Sequence, residues 1–165
     1  MTRIGVVSDT HAQRLEPRLV ARLAEIFRGV ELILHAGDLV DLGVLDDLAG
    51  LVDHDPTRVV AVCGNMDGAA VAASLPARRE LKVAGRTIGL IHGGGAPVGL
   101  AGRVRREFHR PHAIVFGHSH RPYHAVKDGV LMFNPGSVSR GFMGSGTVGL
   151  LTLEPEKIEG EIVKL

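Results

Sequence analysis

Cysteine is nearly missing from this 165-residue chain. Cys63 stands alone, so no internal disulfide can form and a disulfide-stapled secreted scaffold is excluded. Tryptophan is absent and tyrosine occurs once, which leaves no series of aromatic platforms for stacking unpaired bases. Charge of one sign is lacking too. The 19 Lys and Arg residues face 18 Asp and Glu for a net +1, a balance that argues against a mainly electrostatic nucleic-acid binder. Only 4 of those cations are lysine and 15 are arginine, which reads as compositional bias. No apolar run approaches the ~20 residues that span a bilayer, and no repeat marks a coiled coil or a collagen. Near the N-terminus a strand-like run ends at Asp9 without the long apolar segment of a signal peptide, so a cytoplasmic location is the expectation. At 45% hydrophobic and 22% charged residues, the chain is a globular one and not a disordered one.

Histidine and glycine are plentiful, at 9 and 22 residues. Histidine is the commonest metal ligand and a frequent proton carrier, so its placement matters. Five short apolar runs, at 3–8, 32–34, 58–62, 88–91 and 113–116, are continuous, which predicts strands buried on both faces. Helical spacing fills the gaps at 17–27, 42–51 and 98–108. The first of these puts Leu19, Leu23 and Ile26 on one stripe, with Pro17 suited to a first turn and Gly29 to a stop. Strand and helix in alternation are the mark of parallel strands with right-handed crossovers. Hairpins are predicted at 80–91, turning at Gly85-Arg86, at 123–133, turning at Asp128-Gly129, and at 148–163, turning near Pro155. Alternation from Ile158 to Val163 predicts one wet face. The expected architecture is a single α/β domain over 1–165 in which two sheets pack together.

Each of the five runs ends in a polar segment, four of them containing glycine: Asp9-Thr10-His11, Gly37-Asp38, Gly64-Asn65-Met66-Asp67, His92-Gly93 and Gly117-His118-Ser119-His120. Ligand sites in open α/β sheets gather beyond the carboxyl ends of the strands, so parallel strands make these segments converge. The converging groups are Asp9, His11, Asp38, Asn65, His92, His118 and His120. They offer nitrogen and oxygen without thiolate. Such a set suits Mn, Fe, Zn or Co, and its histidines argue against Mg or Ca alone. One ion with open positions takes about three to five protein ligands; the 7 here fit two ions sharing a carboxylate. Two metals about 3.5–4 Å apart clamp a displacement at phosphorus, and water on a divalent ion ionises near neutral pH, so no protein nucleophile is required. Singly, each glycine or histidine is an ordinary strand-end or packing residue. The His-Ser-His and Asp-Thr-His segments in one chain are hard to explain as packing.

In this ordered set the chain resembles the calcineurin-like metallophosphoesterase superfamily. Within it, the chain is similar to the small bacterial and archaeal phosphodiesterase group that also includes the Vps29 retromer subunit. The signature Asp-x-His, Gly-Asp, Gly-Asn-x-Asp, His-Gly and Gly-His-x-His covers residues 9 to 120, and the match continues through Asn134-Pro-Gly-Ser137. The resemblance implies a four-layer α/β/β/α sandwich of two mixed sheets flanked by helices. It implies that Asp9, His11 and His120 hold one metal, that Asn65, His92 and His118 hold another, and that Asp38 bridges them. It implies two divalent ions, manganese first, with nickel, iron, cobalt or zinc as alternatives, and a bridging hydroxide that attacks in line. Asp38, Asn65, Asp67 and His92 form the expected catalytic set, and a homodimer or homotetramer is the expected assembly. One position departs from larger relatives, which carry a histidine directly after the asparagine as a general acid; here it is Met66. Methionine gives no proton, which favours a substrate with a good leaving group. Asp67 either accepts a hydrogen bond from a neighbouring histidine or completes its loop.

The expected activity is a divalent-metal-dependent phosphodiesterase acting on a small phosphorylated substrate. No covalent protein intermediate is expected, because neither Ser137 nor Cys63 has an evident histidine–carboxylate relay. A phosphomonoesterase or nucleotidase with the same centre is the nearest alternative, and a silent protein-binding scaffold like the Vps29 subunit is the alternative of another class. The intact ligand set favours an enzyme. Neither a membrane nor a nucleic acid is an expected partner. Candidates for substrate contact are Asn65, His124 in a hairpin strand, Asn134 in a loop that is either a phosphate cradle or a tight turn, and Arg14, whose guanidinium suits a phosphate oxygen. Arg121 and Arg140 flank the same loops and read as solvent-facing. Ser8 either supports Asp9 or ends its strand, His35 reads as a core histidine or a partner of a ligand, and Cys63 reads as a small core residue. His54, His109, His112, Arg103, Arg105, Arg106 and Arg110 read as surface residues. Residues 141–146 read as a rim or oligomer contact.

Overall fold

A computed structural model of the chain describes residues 1–139 and 146–165; Arg140 and most of the expected rim or oligomer contact, 141–145, lie outside the described residues. The first half runs β1 (Thr2–Val7), α1 (Pro17–Ile26), β2 (Leu32–His35), α2 (Gly43–Ala49), a 3-10 turn (Pro56–Arg58) and β3 (Val59–Ala61). The second half runs α3 (Ala69–Ser74), β4 (Arg78–Val83), β5 (Arg86–Ile91), α4 (Leu100–Arg105), β6 (Ala113–Val115), β7 (Tyr123–Lys127), β8 (Val130–Asn134), β9 (Thr147–Leu153) and β10 (Ile158–Lys164). They form two five-stranded mixed sheets, ordered β10-β9-β1-β2-β3 and β4-β5-β6-β8-β7. Each sheet contains a parallel trio: β1, β2 and β3 in register Val6↔Leu34↔Val60, and β5, β6 and β8 in register Gly89↔Ile114↔Met132.

The four-layer stacking follows from which way alternate strand residues point. Ile4 and Val6 of β1 join Leu34, Ile88, Val115 and Phe133 in a core between the sheets. Val7 and Ile33 face the other way, onto Leu23 and Phe27 of the α1 region and Val44 and Leu48 of α2. On the far side, Leu100, Val104 and Phe108 cover Ile114, Phe116 and Met132. The strands are continuous apolar runs because both faces are covered. The outer faces share one device. A Cβ at Gly5 would lie 3.0 Å from the Phe27 ring and one at Gly89 would lie 2.9 Å from the Phe108 ring, so each missing side chain lets an aromatic lie flat on its strand.

Several elements differ from the sequence expectation. The hairpin turn is Ala84-Gly85, with φ +48 and +75, because Val83 pairs with Arg86; the two-residue turn needs positive φ at both positions. Asp128-Gly129 makes the same turn at φ +51 and +74, where it is expected. Helix α4 is shorter than 98–108, starting only after Gly99 at φ +76. Helix α3 has no apolar stripe to announce it, with Val71 its one buried residue. Exposure alternates from Ile158 to Ile162 of β10, as its pattern predicts, and the alternation breaks at Val163, which is half-buried like Ile162. No helix among the described residues is long and apolar enough to cross a membrane.

Candidate metal centre

All seven expected ligands lie beyond the carboxyl ends of parallel strands: Asp9 and His11 past β1, Asp38 past β2, Asn65 past β3, His92 past β5, and His118 and His120 past β6. Packing of the sheets brings the two sets of strand ends together. Asp38 Oδ2, from the first sheet, lies 3.2 Å from His92 Nε2, from the second.

Ligand atoms of Asp9, His11, Asp38 and His120 all fall within 4.8 Å of one another, close enough for one metal ion. His120 Nε2 is 3.1 Å from Asp9 Oδ1 and 3.3 Å from His11 Nε2, and His11 Nε2 is 3.8 Å from Asp38 Oδ2. Asp9 is fully buried, and its two oxygens differ. Oδ2 accepts from the Ser8 hydroxyl at 2.6 Å and the His118 N–H at 3.3 Å, so Ser8 does support Asp9. Oδ1 has no hydrogen-bond partner among the described residues, although His120 Nε2 lies 3.1 Å away. A buried carboxylate oxygen without a donor is costly. A divalent transition-metal cation relieves that cost, and the imidazole and carboxylate atoms around it are donor types such a cation takes.

A second group surrounds Asn65. His92 donates its Nδ1–H to the Ala36 carbonyl at 2.7 Å, which turns Nε2 towards Asn65 Oδ1 at 3.1 Å as well as Asp38. His118 donates its Nε2–H to the Gly95 carbonyl at 2.8 Å, which turns Nδ1 towards Asn65 Oδ1 at 2.9 Å. In each ring one nitrogen is spent on backbone, which leaves the other nitrogen facing the centre, the usual support of a metal-binding histidine.

Electrostatics reflect this crowding of acceptors. Burial pushes the Asp9 carboxyl up, against the opposing pull of His92, the Ser8 hydroxyl and His120. Burial also acts to raise Asp38, but hydrogen bonds from His92 and the Met66 N–H, with the charges of His92 and His11, carry it below the usual carboxylate range. Burial acts to lower His92, yet Asp38, Asp9 and the Ala36 carbonyl raise it above an ordinary histidine. His35 behaves differently. Fully buried, it is pushed down to about 3 by burial first and by His92 second. Its Nδ1 accepts from the Gly37 N–H at 3.1 Å, so Nε2–H donates to Thr10 Oγ1 at 3.1 Å. It is a core histidine.

The ligand backbones are unusual. Asp9, His11, Asp38, His118 and His120 have φ of +54, +46, +57, +70 and +55, and Val40 has +82. Positive φ is uncommon outside glycine and an outlier for a β-branched residue; such conformations collect at functional sites, held by their surroundings. Asp67 holds one of these loops. Its Oδ2 accepts from the Asp38 N–H at 3.1 Å and the Gly64 N–H at 2.7 Å, and its Oδ1 accepts from the Val40 N–H at 2.6 Å. Those partners are backbone amides and not a histidine, so Asp67 completes and braces the loop instead of orienting a ring. Glycine is required close by. A Cβ at Gly64 would run into Asp38 Oδ1 and come within 2.5 Å of its amide nitrogen.

The expected substrate contacts are placed otherwise. Asn134 is fully buried and spends its amide on the Gly117 carbonyl at 2.8 Å and Ser119 Oγ at 3.2 Å, while its Oδ1 accepts from the Gly136 N–H. The Asn134 amide group has no N–H left over for phosphate, and its Oδ1 closes the turn. His124 stands edge-on to Phe133, ring centroids 5.7 Å apart, and lines a groove with Arg3, Thr152 and Glu161 that contains none of the ligands. Strand alternation sends it there, because its neighbour Tyr123 faces Phe116 on the opposite side. Arg14 is bound to Asp47, with Nε 3.0 Å from both carboxylate oxygens and Nη2 on Oδ1. Asn65 alone of these candidates lies in the centre. Cys63 packs against the core of the helix side.

Two residues with structural roles here are not evident in the sequence. Arg103, which reads as a surface residue, donates to the carbonyls of Gly94, Ala96 and Val98. It thereby fixes the loop whose Gly95 carbonyl orients His118. Its one sequence sign is its place just past the glycine-rich 93–99 segment. Ser137 Oγ donates to the Asp9 carbonyl at 3.0 Å, and the Val138 N–H donates to the Ser8 carbonyl, clamping the end of β1 from the loop after β8.

An α/β/β/α sandwich with aspartates and histidines gathered at the strand ends defines a metallophosphoesterase type of protein. Comparison agrees: residues 2–156 match the model of the calcineurin-like phosphoesterase superfamily domain, and the chain belongs to that superfamily. A probable metallophosphoesterase of Methanothermobacter thermautotrophicus is 32% identical over 163 residues, spanning 98% of this chain and 91% of its own length. Among solved structures, an archaeal phosphodiesterase superposes with TM-score 0.75 at 22% identity, covering 98% of this chain and all of the other. Vps29 of Chaetomium thermophilum superposes with TM-score 0.74 at 17% identity, covering 99% and 97%. At those identities the two structures share the fold.

Proposed function

We propose that this protein is a divalent-metal-dependent phosphodiesterase with a dinuclear centre, manganese being the favoured ion. Asp9, His11 and His120 hold one ion, Asn65, His92 and His118 the other, and Asp38 lies between. The observation that carries this reading is the position of Asp38. Its Oδ2 is 3.8 Å from His11 Nε2 in one group and 3.2 Å from His92 Nε2 in the other, while its Oδ1 is held by the Met66 N–H at 2.8 Å. When bound, two such ions supply a hydroxide nucleophile near neutral pH and neutralise charge on the phosphoryl oxygens.

The chain's own residues set the rest. Ser8 fixes one oxygen of Asp9 and leaves the other for metal, and the Ala36 and Gly95 carbonyls fix the two rings of the second group. Ser137 bonds the Asp9 carbonyl and Ser139 and has no histidine partner among the described residues, which supports direct attack without a protein nucleophile. Met66 is 60% exposed at the rim and has no proton to give, so the leaving group departs unaided from that side. That favours phosphodiesters and activated esters over ordinary monoesters.

The test is hydrolysis of a bis-aryl phosphodiester and the matching aryl monoester by metal-stripped protein titrated with manganese. Activity that rises with the metal and favours the diester is the expected result. Preference for the monoester would replace the reading with a phosphomonoesterase. No turnover with Mn, Ni, Co or Zn would overturn it in favour of a scaffold.

A further inference from the structure

Beside the metal centre lies a groove of about 890 Å³, with Thr10 and His11 at one end. That size is within the roughly 300–1,000 Å³ of small-molecule sites. Its floor is apolar, made by Leu15, Leu19, Val138 and Leu165, of which Leu15 and Val138 are themselves buried. Its rim is basic. Arg14, Arg18 and Arg22 line it, and Arg18 and Arg22 are one turn apart on the same face of α1. Glu16 is the one acidic side chain lining it among the described residues. The three arginines are not equivalent. Arg14 is committed to Asp47, and Arg22 pairs with Glu25 at 3.0 Å. Arg18 makes no hydrogen bond or ion pair among the described residues and stands exposed between them.

We propose that this groove is a subsite for a nucleotide-like arm of the substrate: an organic phosphate whose anionic group meets Arg18, flanked by Arg14 and Arg22, and whose apolar or planar part lies over Leu15, Leu19 and Val138. Guanidinium forks match phosphate oxygens. The apolar floor disfavours a bare inorganic polyphosphate, and the basic rim disfavours an arm without charge. Calling the ligand a substrate arm rests on the phosphoesterase reading, because the groove reaches the metal centre through His11.

Binding is measurable without metal or turnover. Calorimetry of the full chain in chelator, with ADP, adenosine and pyrophosphate as probes, separates the two parts of the site. ADP is expected to bind more tightly than either fragment. Arg18→Glu is expected to weaken ADP by about tenfold or more, the loss of a charge-assisted contact. Arg28→Glu makes the same charge change beyond α1, outside the groove, and is expected to weaken ADP less than about twofold, since exposed charges at a distance are screened. Thermal melts of both variants check folding; Arg18→Gln replaces Arg18→Glu if the latter melts early. No ADP binding, equal losses in the two variants, or pyrophosphate binding as tightly as ADP would each overturn the proposal. Such a failure leaves the manganese hydrolysis experiment untouched, and a chain that hydrolyses neither aryl ester still answers this one.

Discussion

Asp67 touches none of the atoms that face a metal, yet its removal should loosen the metal centre. One carboxylate accepts three backbone amides, from Asp38, Gly64 and Val40. Two of those amides belong to residues with positive φ, Asp38 at +57 and Val40 at +82. Charge-assisted hydrogen bonds contribute about 1.5–3 kcal/mol each when fully buried, and less here, where those at Asp38 and Gly64 are part-buried and the one at Val40 is exposed. Asp67→Ala removes all three and should cost about 2–4 kcal/mol of stability. Asp67→Asn keeps one acceptor oxygen. Its better orientation retains the Asp38 and Gly64 bonds and turns an amide group on the Val40 N–H, for a loss of about 1–2 kcal/mol. Metal affinity should fall in the same order, by about 10–100-fold for Ala, the range for residues that orient metal ligands. Urea denaturation in chelator measures the first quantity, and calorimetric titration with manganese measures the second. Manganese binding by Asp67→Ala at wild-type affinity, with stability lowered as expected, would refute the claim that this loop positions Asp38.

Gly64→Ala places its Cβ against Asp38 Oδ1 and within 2.5 Å of the Asp38 amide nitrogen. It should cost about 1–3 kcal/mol as local overpacking and abolish tight manganese binding while far-ultraviolet circular dichroism stays native; undiminished binding would contradict the geometry. Arg103→Ala frees the 93–99 loop and with it the Gly95 carbonyl that fixes His118. If the proposed two-ion centre forms, manganese bound per chain, counted by titration, should fall towards one ion, and two full-affinity ions would count against this role. His35 gives a pH signature. Its pKa in the folded chain is pushed to about 3 from 6.5, so the unfolded chain binds its proton first. Its contribution is complete above pH 6.5 and is lost as pH falls towards 3, at up to about 1.4 kcal/mol per pH unit. Stability of wild type and His35→Asn, whose oxygen can still accept from Gly37, should converge as pH is lowered through that window; parallel curves would refute it.

The metal centre proposed above needs both sheets at once. The first provides Asp9, His11, Asp38 and Asn65, the second His92, His118 and His120, and they meet because both parallel trios end on the same side of the sandwich. Either sheet alone would leave Asp38 or His92 without the other, and the inter-sheet core of Ile4, Val6, Leu90, Val115 and Phe133 is what fixes their separation. Stability of that core and geometry of the centre are therefore coupled. The interior is close-packed, so a core substitution that shifts one sheet on the other is felt at the ligands.

Local pattern was enough for the parallel strands, their crossover helices, the Asp128-Gly129 turn and the polar segments at the strand ends, because each is written in neighbouring residues as periodicity, glycine placement or ligand type. Helix α3 escaped because alanines carry no stripe, and the first hairpin turn shifted by one residue because register is a property of both strands together. What tertiary structure decided was how side chains spend their hydrogen-bonding capacity. It turned Asn134 into a brace and Arg14 into a partner of Asp47, sent His124 into a groove away from the ligands, and gave Arg103 a loop to hold. Residue type shows what a group can bind. Which partner reaches it first depends on atoms far away in the chain, as when Ser137 closes on the carbonyl of Asp9.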